Sequence, residues 1–107
     1  ESNNWIDFNL YGHQIVAHFS PDDCGRHGAT IVDGDKIPAR HFGVILSWME
    51  WEKLCEHIKK MTINFFIKPK VRFKGKPGEQ GTFFIEDPSG NILEFKCFKN
   101  DNEIFRK

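Results

Sequence analysis

The 107-residue sequence has no long apolar run and no net charge, and each absence excludes a class of protein. No stretch approaches the roughly 20 apolar residues that a membrane-spanning helix needs. Fifteen Lys and Arg residues balance fifteen Asp and Glu residues. Charge therefore gives no reason to expect binding to nucleic acid or to an anionic membrane surface. We expect a cytoplasmic protein of one small domain, whose partners must be inferred from specific sites.

Cysteines are few, and their spacing shows no pattern. Cys24, Cys55 and Cys97 are odd in number and form no C-x-x-C pair, which favours a reducing compartment over a disulfide framework. The sequence also lacks a convincing Ser-His-Asp order, phosphate-binding loop or nucleic-acid stacking pattern.

Aromatic residues, by contrast, are abundant, with eleven Phe and three Trp. Residues 5–10 and 13–19 alternate between apolar and polar side chains, and this period predicts two strands joined by a turn. Residues 21–38 are rich in Asp, Gly and Pro, and this composition predicts a linker or loop. Alternating phenylalanines indicate sheet faces and a lined cavity.

Residues 41–98 predict a β-α-β-β-β unit. Residues 41–46 alternate as a strand, and Ser47 and Glu50 then have the spacing of a capping box, so a helix begins there. Three strands with short turns follow the helix, and Pro69 interrupts the first of them. One apolar stripe runs along the helix, formed by Trp51, Leu54, Cys55, Ile58 and Met61. These features predict the α+β class.

The first two strands resemble the last two strands of a second such unit. Gly12 and Gly90 each precede an alternating strand, which predicts an internal repeat whose first copy is truncated at its N-terminus. The chain starts with Glu1 rather than Met, in keeping with an N-terminal segment that was processed or left out. The expected organisation is a first-module remnant at 1–20, a linker at 21–40, a complete module at 41–98 and a tail at 99–107.

Strand alternation also predicts a candidate site. Glu94 lies on the face of its strand that points away from the helix, and His41 and His18 are predicted to share this concave face. Two imidazoles and one carboxylate form a ligand set that leaves a divalent metal with open positions. Alternation alone is more typical of a solvent-facing carboxylate and of a histidine at the start of a strand beside a loop.

Four segments resemble one known superfamily: GHQIVAH at 12–18, HFGVIL at 41–46, RFKGKPGEQ at 72–80 and DPSGNILEF at 87–95. They are similar to the vicinal oxygen chelate superfamily, which includes glyoxalase I, extradiol dioxygenases and bleomycin-resistance proteins. The subgroup is similar to small extradiol-dioxygenase-like proteins. The resemblance implies two β-α-β-β-β modules around a divalent metal such as Fe(II), Mn(II), Ni(II) or Zn(II), which binds a small substrate through adjacent oxygens.

Carried over by position, the resemblance implies that His41 and Glu94 are metal ligands. His18 is the implied third ligand, and His13, on the opposite face of its strand, is the weaker alternative. The residues that the resemblance implies for substrate binding at the cavity mouth are Arg72, Phe73, Gln80 and Phe84. For Arg72 and Gln80, which lie in this hairpin region with Glu79, the alternative is a structured turn with a salt link.

The leading functional prediction is therefore a metal-dependent enzyme of the glyoxalase or dioxygenase group. The alternative is a bleomycin-resistance-type protein that binds a small molecule in the same cavity without metal. Superfamily members pair modules between subunits, so the resemblance also implies a homodimer. A purely structural fragment is the third possibility.

Overall fold

A computed structural model describes residues 3–25, 28–32 and 34–105. Within these ranges the chain forms eight strands, one α-helix and two short 3-10 turns at Pro21–Asp23 and Asp101–Glu103. The elements in chain order are β1 (Trp5–Leu10), β2 (His13–His18), β3 (Ala29–Val32), β4 (Asp35–Pro38), β5 (Phe42–Leu46), α1 (Trp48–Lys60), β6 (Phe65–Arg72), β7 (Gln80–Glu86) and β8 (Ile92–Phe98). No helix in the described ranges is long and apolar enough to span a membrane.

The main sheet has four strands in the order β5-β8-β7-β6. Strand β5 runs parallel to β8, and the other two pairs are antiparallel. Helix α1 connects β5 to β6 and packs on one face of this sheet. The predicted β-α-β-β-β unit and the α+β class are confirmed. The first strand begins one residue later than predicted, so that His41 lies immediately before it.

Helix α1 begins at the predicted capping box. The Ser47 hydroxyl accepts a hydrogen bond from the Glu50 amide at 3.2 Å, and the Glu50 carboxylate accepts one from the Ser47 amide at 3.3 Å. The apolar stripe of the helix packs on the sheet in a cluster made by Leu46, Trp51, Cys55, Ile58, Phe83, Phe95 and Cys97. Met61, predicted at the end of the stripe, instead caps the helix and is exposed.

Trp51 lies at the centre of this cluster. Its indole Nε1 donates a hydrogen bond of 2.9 Å to the carbonyl of Phe95. The six-membered ring lies over Gly81, where a Cβ atom would come within 3.0 Å of the indole and 2.8 Å of Cys97 Sγ. Glycine at this position therefore lets the helix approach β7 closely.

Strands β1 and β2 form the predicted hairpin, in a sheet of their own. Leu10 packs against the helix-side cluster of the main sheet. Ile6 and Phe8, on the same face as Leu10, are 40% and 51% exposed. The hairpin thus presents apolar surface that the described part of the chain does not cover.

The segment predicted as a linker differs from the prediction, because it contains the β3–β4 hairpin. Each strand has only four residues, and Gly34 between them has a φ of +84°, which a tight turn requires. This hairpin lies against the sheet face opposite α1, where Ile37 is buried with Phe84 and Ile92. The composition of this segment predicted a loop, and the two strands were not predicted because each is too short to show a clear alternation of apolar and polar residues.

Strand β6 runs through Pro69 without a break, in contrast to the predicted interruption. The register between β6 and β7 shifts between Phe65 and Ile67 and again between Ile67 and Lys70. Strand β6 is at the edge of the sheet. A proline is tolerated there because its missing amide proton removes no hydrogen bond between central strands.

Candidate metal site

Glu94 occupies the middle of β8, on the face opposite α1, and is 9% exposed. Its cross-strand partner on β7 is Phe84, and Thr82 lies two residues away on the same face. The Thr82 hydroxyl donates a hydrogen bond of 2.7 Å to Glu94 Oε2. This bond satisfies one carboxylate oxygen and fixes the direction of the other, Oε1.

His41 lies beside that second oxygen. Its Nε2 is 3.3 Å from Glu94 Oε1, and its Nδ1 is 2.9 Å from the carbonyl oxygen of Pro38. Because the Pro38 carbonyl can only accept, it assigns a proton to Nδ1; in the neutral imidazole the lone pair is then on Nε2, the nitrogen that faces Glu94 and could take a cation between the two groups. The imidazole also contacts Phe84 edge to face, with ring centroids 5.4 Å apart.

The two groups fit a divalent cation. A lone pair on His41 Nε2 and an oxygen of Glu94 converge, and both are ligand types that such metals take in proteins. Each group is held from behind by a second partner, Pro38 for the imidazole and Thr82 for the carboxylate. Outer partners of this kind orient metal ligands and raise the affinity of the site.

His18 does not join this pair. It lies at the end of β2, opposite Trp5, in the separate β1–β2 sheet. Across residues 3–25, 28–32 and 34–105 no three His, Cys, Asp or Glu side chains are grouped as a metal centre would require. The structure therefore brings together two of the three predicted ligands, and the role of His18 stays a prediction.

The chain is similar to the crystal structure of a glyoxalase/bleomycin resistance protein/dioxygenase from Alicyclobacillus acidocaldarius, with 30% identity and a TM-score of 0.81. The match covers 98% of this chain and 74% of that one. The chain belongs to this family, within the vicinal oxygen chelate superfamily.

A second neighbour of this vicinal oxygen chelate protein is the genomically encoded fosfomycin resistance protein FosX from Listeria monocytogenes. The identity is 15% and the TM-score 0.62, over 91% of this chain and 67% of that one, so this similarity concerns the fold alone. No protein-family model matches the sequence, and no curated protein matches it significantly.

Arg72, predicted to orient substrate, has a different set of contacts in this vicinal oxygen chelate fold. It is 3% exposed, and its guanidinium donates to Asp35 Oδ2 at 2.8 Å and to the Val32 carbonyl at 3.1 Å. Lys70 Nζ donates to the same Asp35 oxygen at 2.9 Å. Arg72 therefore fastens the β3–β4 hairpin to the sheet, and its role in substrate binding stays a prediction.

The other three predicted substrate residues are spread over two regions. Phe73 is 45% exposed in the turn after β6, with a φ of +56°. Gln80 donates to the carbonyl of Gly78 at 3.2 Å, within the same β6–β7 connection. Phe84 is buried beneath the His41 ring, so it is the member of this set that contacts the candidate ligands.

Three further groups lie around the pair. Thr82 and the carbonyl of Pro38 hold the two ligands, and Lys96 Nζ lies 3.8 Å from Glu94 Oε1. Thr82 could have been found from the sequence by aligning β7 with β8, since cross-strand neighbours share a face. Pro38 could not, because its position depends on the unpredicted β3–β4 hairpin.

The Asp35 contacts predict a pH-dependent contribution to stability. The hydrogen bond from Lys70, with a further one from Arg72, holds the pKa of Asp35 below its ordinary value of 3.8. Because the folded-state pKa is lowered, the contribution is present above that ordinary value and is lost as the pH falls through the folded-state pKa. We expect Asp35→Asn to lower the free energy of unfolding at about pH 7 and to have a progressively smaller effect as the pH falls below 3.8. Urea denaturation of both proteins across this range measures the difference, and a constant difference would contradict the prediction.

Proposed function

We propose that His41 and Glu94 are two ligands of a divalent metal in an enzyme of the glyoxalase or extradiol-dioxygenase type, which acts on a small substrate through adjacent oxygens. The observation that supports this proposal is the 3.3 Å approach of His41 Nε2 and Glu94 Oε1, each with its own outer partner. Fe(II), Mn(II), Ni(II) and Zn(II) are the metals that suit one imidazole and one carboxylate.

When bound, the metal would supply Lewis acidity to the oxygens of the substrate. Neighbouring residues of the chain orient the two ligands for metal binding. The carbonyl of Pro38 keeps the Nδ1 proton in place, so that Nε2 is free to act as a ligand. Thr82 holds one oxygen of Glu94 and turns the other towards the imidazole. Phe84 closes the floor beneath His41 and excludes water from that side.

Two ligands leave coordination positions for further groups. We infer that a second copy of the chain supplies one of them, with His18 as the candidate, in a homodimer. The apolar face that carries Ile6 and Phe8 supports association, because large exposed apolar surface on a small domain is typical of an interface. The subgroup similar to small extradiol-dioxygenase-like proteins is part of this proposal.

Metal binding tests the proposal directly. We expect the purified protein to bind one divalent ion per site in isothermal titration calorimetry, and His41→Ala and Glu94→Ala each to weaken binding by at least about tenfold. His57→Ala and Glu56→Ala are matched controls, because both residues lie on the outer face of α1. His18→Ala in the same titration, with the molar mass measured by light scattering, tests the third ligand and the dimer.

Two outcomes would argue against a metal enzyme. One is a protein that binds no divalent ion at millimolar concentration, and the other is binding that the His41 and Glu94 variants leave unchanged. Tight binding of a small molecule without metal, unaffected by both substitutions, would instead support the bleomycin-resistance-type alternative.

A further inference from the structure

A cleft of about 370 Å³ opens beside His41, where β5 and β8 begin. This volume is within the range of small-molecule sites. Its lining includes Arg40, His41, Phe42, Gly90, Asn91 and Ile92. His41 belongs both to this cleft and to the candidate metal pair, so a ligand that reaches the pair can extend into the cleft.

One wall of the cleft is formed where the backbone at Gly25 packs closely against the backbone of the turn at 87–91. The amide of Gly25 donates to the carbonyl of Ser89 at 3.1 Å, and a Cβ atom on Gly90 would come within 2.8 Å of Gly25 Cα. The Asp87 carboxylate accepts hydrogen bonds from the amides of Ser89 and Asn91 at 2.9 and 2.8 Å. The turn at 87–91 is thus held in place before any ligand arrives.

The lining carries one guanidinium and one carboxylate, and among the described residues only the carboxylate has a hydrogen-bond partner. Arg40 contributes a guanidinium for which the described ranges contain no hydrogen-bond or ion-pair partner. Asp23, the carboxylate of the lining, already accepts a hydrogen bond from the Ser20 hydroxyl. A guanidinium binds carboxylates with paired, parallel hydrogen bonds, and such bonds are among the stronger ones in proteins.

We propose that this cleft is a subsite for the carboxylate of a small ligand, and that Arg40 binds that carboxylate. The proposal extends to catalysis only together with the proposed function. In that case the substrate of the enzyme carries a carboxylate in addition to the two oxygens that face His41 and Glu94. Arg40 then sets specificity for acids over neutral analogues.

The anion site is tested on the metal-free protein, so that the result is independent of the metal hypothesis. Benzoate should shift the backbone amide signals of Phe42, Gly90 and Asn91 in ¹⁵N-resolved NMR titrations, and benzyl alcohol at equal concentration should not. Arg40→Gln should weaken benzoate binding at least about tenfold, because it removes a charged donor. Arg40→Lys should restore part of the affinity, and Lys74→Gln, in the exposed turn after β6, is the control that should change nothing.

The link to the substrate is tested on the metal-loaded protein with catechol and 3,4-dihydroxybenzoate, which share the adjacent oxygens and differ in the carboxylate. Arg40→Gln should weaken binding of the acid and leave catechol unchanged. Benzoate shifts that are absent from the cleft, or that persist in Arg40→Gln, would overturn the proposal. If the proposed function is wrong but the anion site is real, the wild-type protein will take up no metal and the benzoate shifts will remain.

Discussion

Gly43→Val should separate the two candidate ligands, lower metal affinity by about a hundredfold and reduce the free energy of unfolding by about 1–3 kcal/mol. Gly43 lies opposite Glu94 in the parallel pairing of β5 with β8. A Cβ atom at position 43 would overlap the carbonyl oxygen of Glu94 and come within 2.6 Å of its carbonyl carbon. A side chain there must therefore push the strands apart two residues after His41.

Calorimetric metal titration and urea denaturation of the same samples measure both effects. Gly81→Ala is the matched control, because its added methyl group meets Cys97 and Trp51 on the helix side of the sheet. We expect this variant to lose stability while the folded protein keeps its metal affinity. Unaltered metal affinity in Gly43→Val would show that the spacing of β5 and β8 does not set the ligand geometry.

Trp51→Ala should lower the free energy of unfolding by about 3–5 kcal/mol. Trp51 is 6% exposed, and its ring centroid lies 6.0 Å from that of Phe83. Truncation would leave a cavity between α1 and β7 and would remove the indole hydrogen bond to Phe95. The loss is a large fraction of the 5–15 kcal/mol that stabilises a typical domain.

Chemical denaturation followed by circular dichroism measures this loss, and Trp48→Ala is the comparison. Trp48 is only partly buried at the start of α1, and its indole donates to the surface carboxylate of Glu52 at 3.0 Å. We expect Trp48→Ala to cost less than half as much. Equal costs in the two variants would contradict the central role of Trp51 in packing the helix on the sheet.

Periodicity predicted the parts of the fold that have a clear repeat. The alternation of β8 correctly placed Glu94 on the face away from the helix, and Phe95 and Cys97, on the other face of the strand, pack under α1. The apolar stripe of α1 and the capping box at Ser47 were also predicted from the sequence. These signals are strong because each element is several residues long and has one face in a core.

Contacts between distant segments were not predictable in the same way. Asp35 and Arg72 are 37 residues apart in sequence, and their contact helps to turn an apparent linker into a hairpin. The position of His18 shows a related limit. Alternation tells which face of its own strand a residue occupies, but β2 is in a different sheet from Glu94, and alternation does not relate two sheets.

The two edges of the main sheet differ in their capacity to accept another strand. At the β6 edge, Pro69 lacks an amide proton and the register is shifted twice, so a fifth strand would meet an interrupted ladder there. At the opposite edge, β5 is uninterrupted and pairs, within the described ranges, with β8 alone. Growth of the sheet by backbone pairing is therefore directed to β5, and any strand added there would lie beside His41.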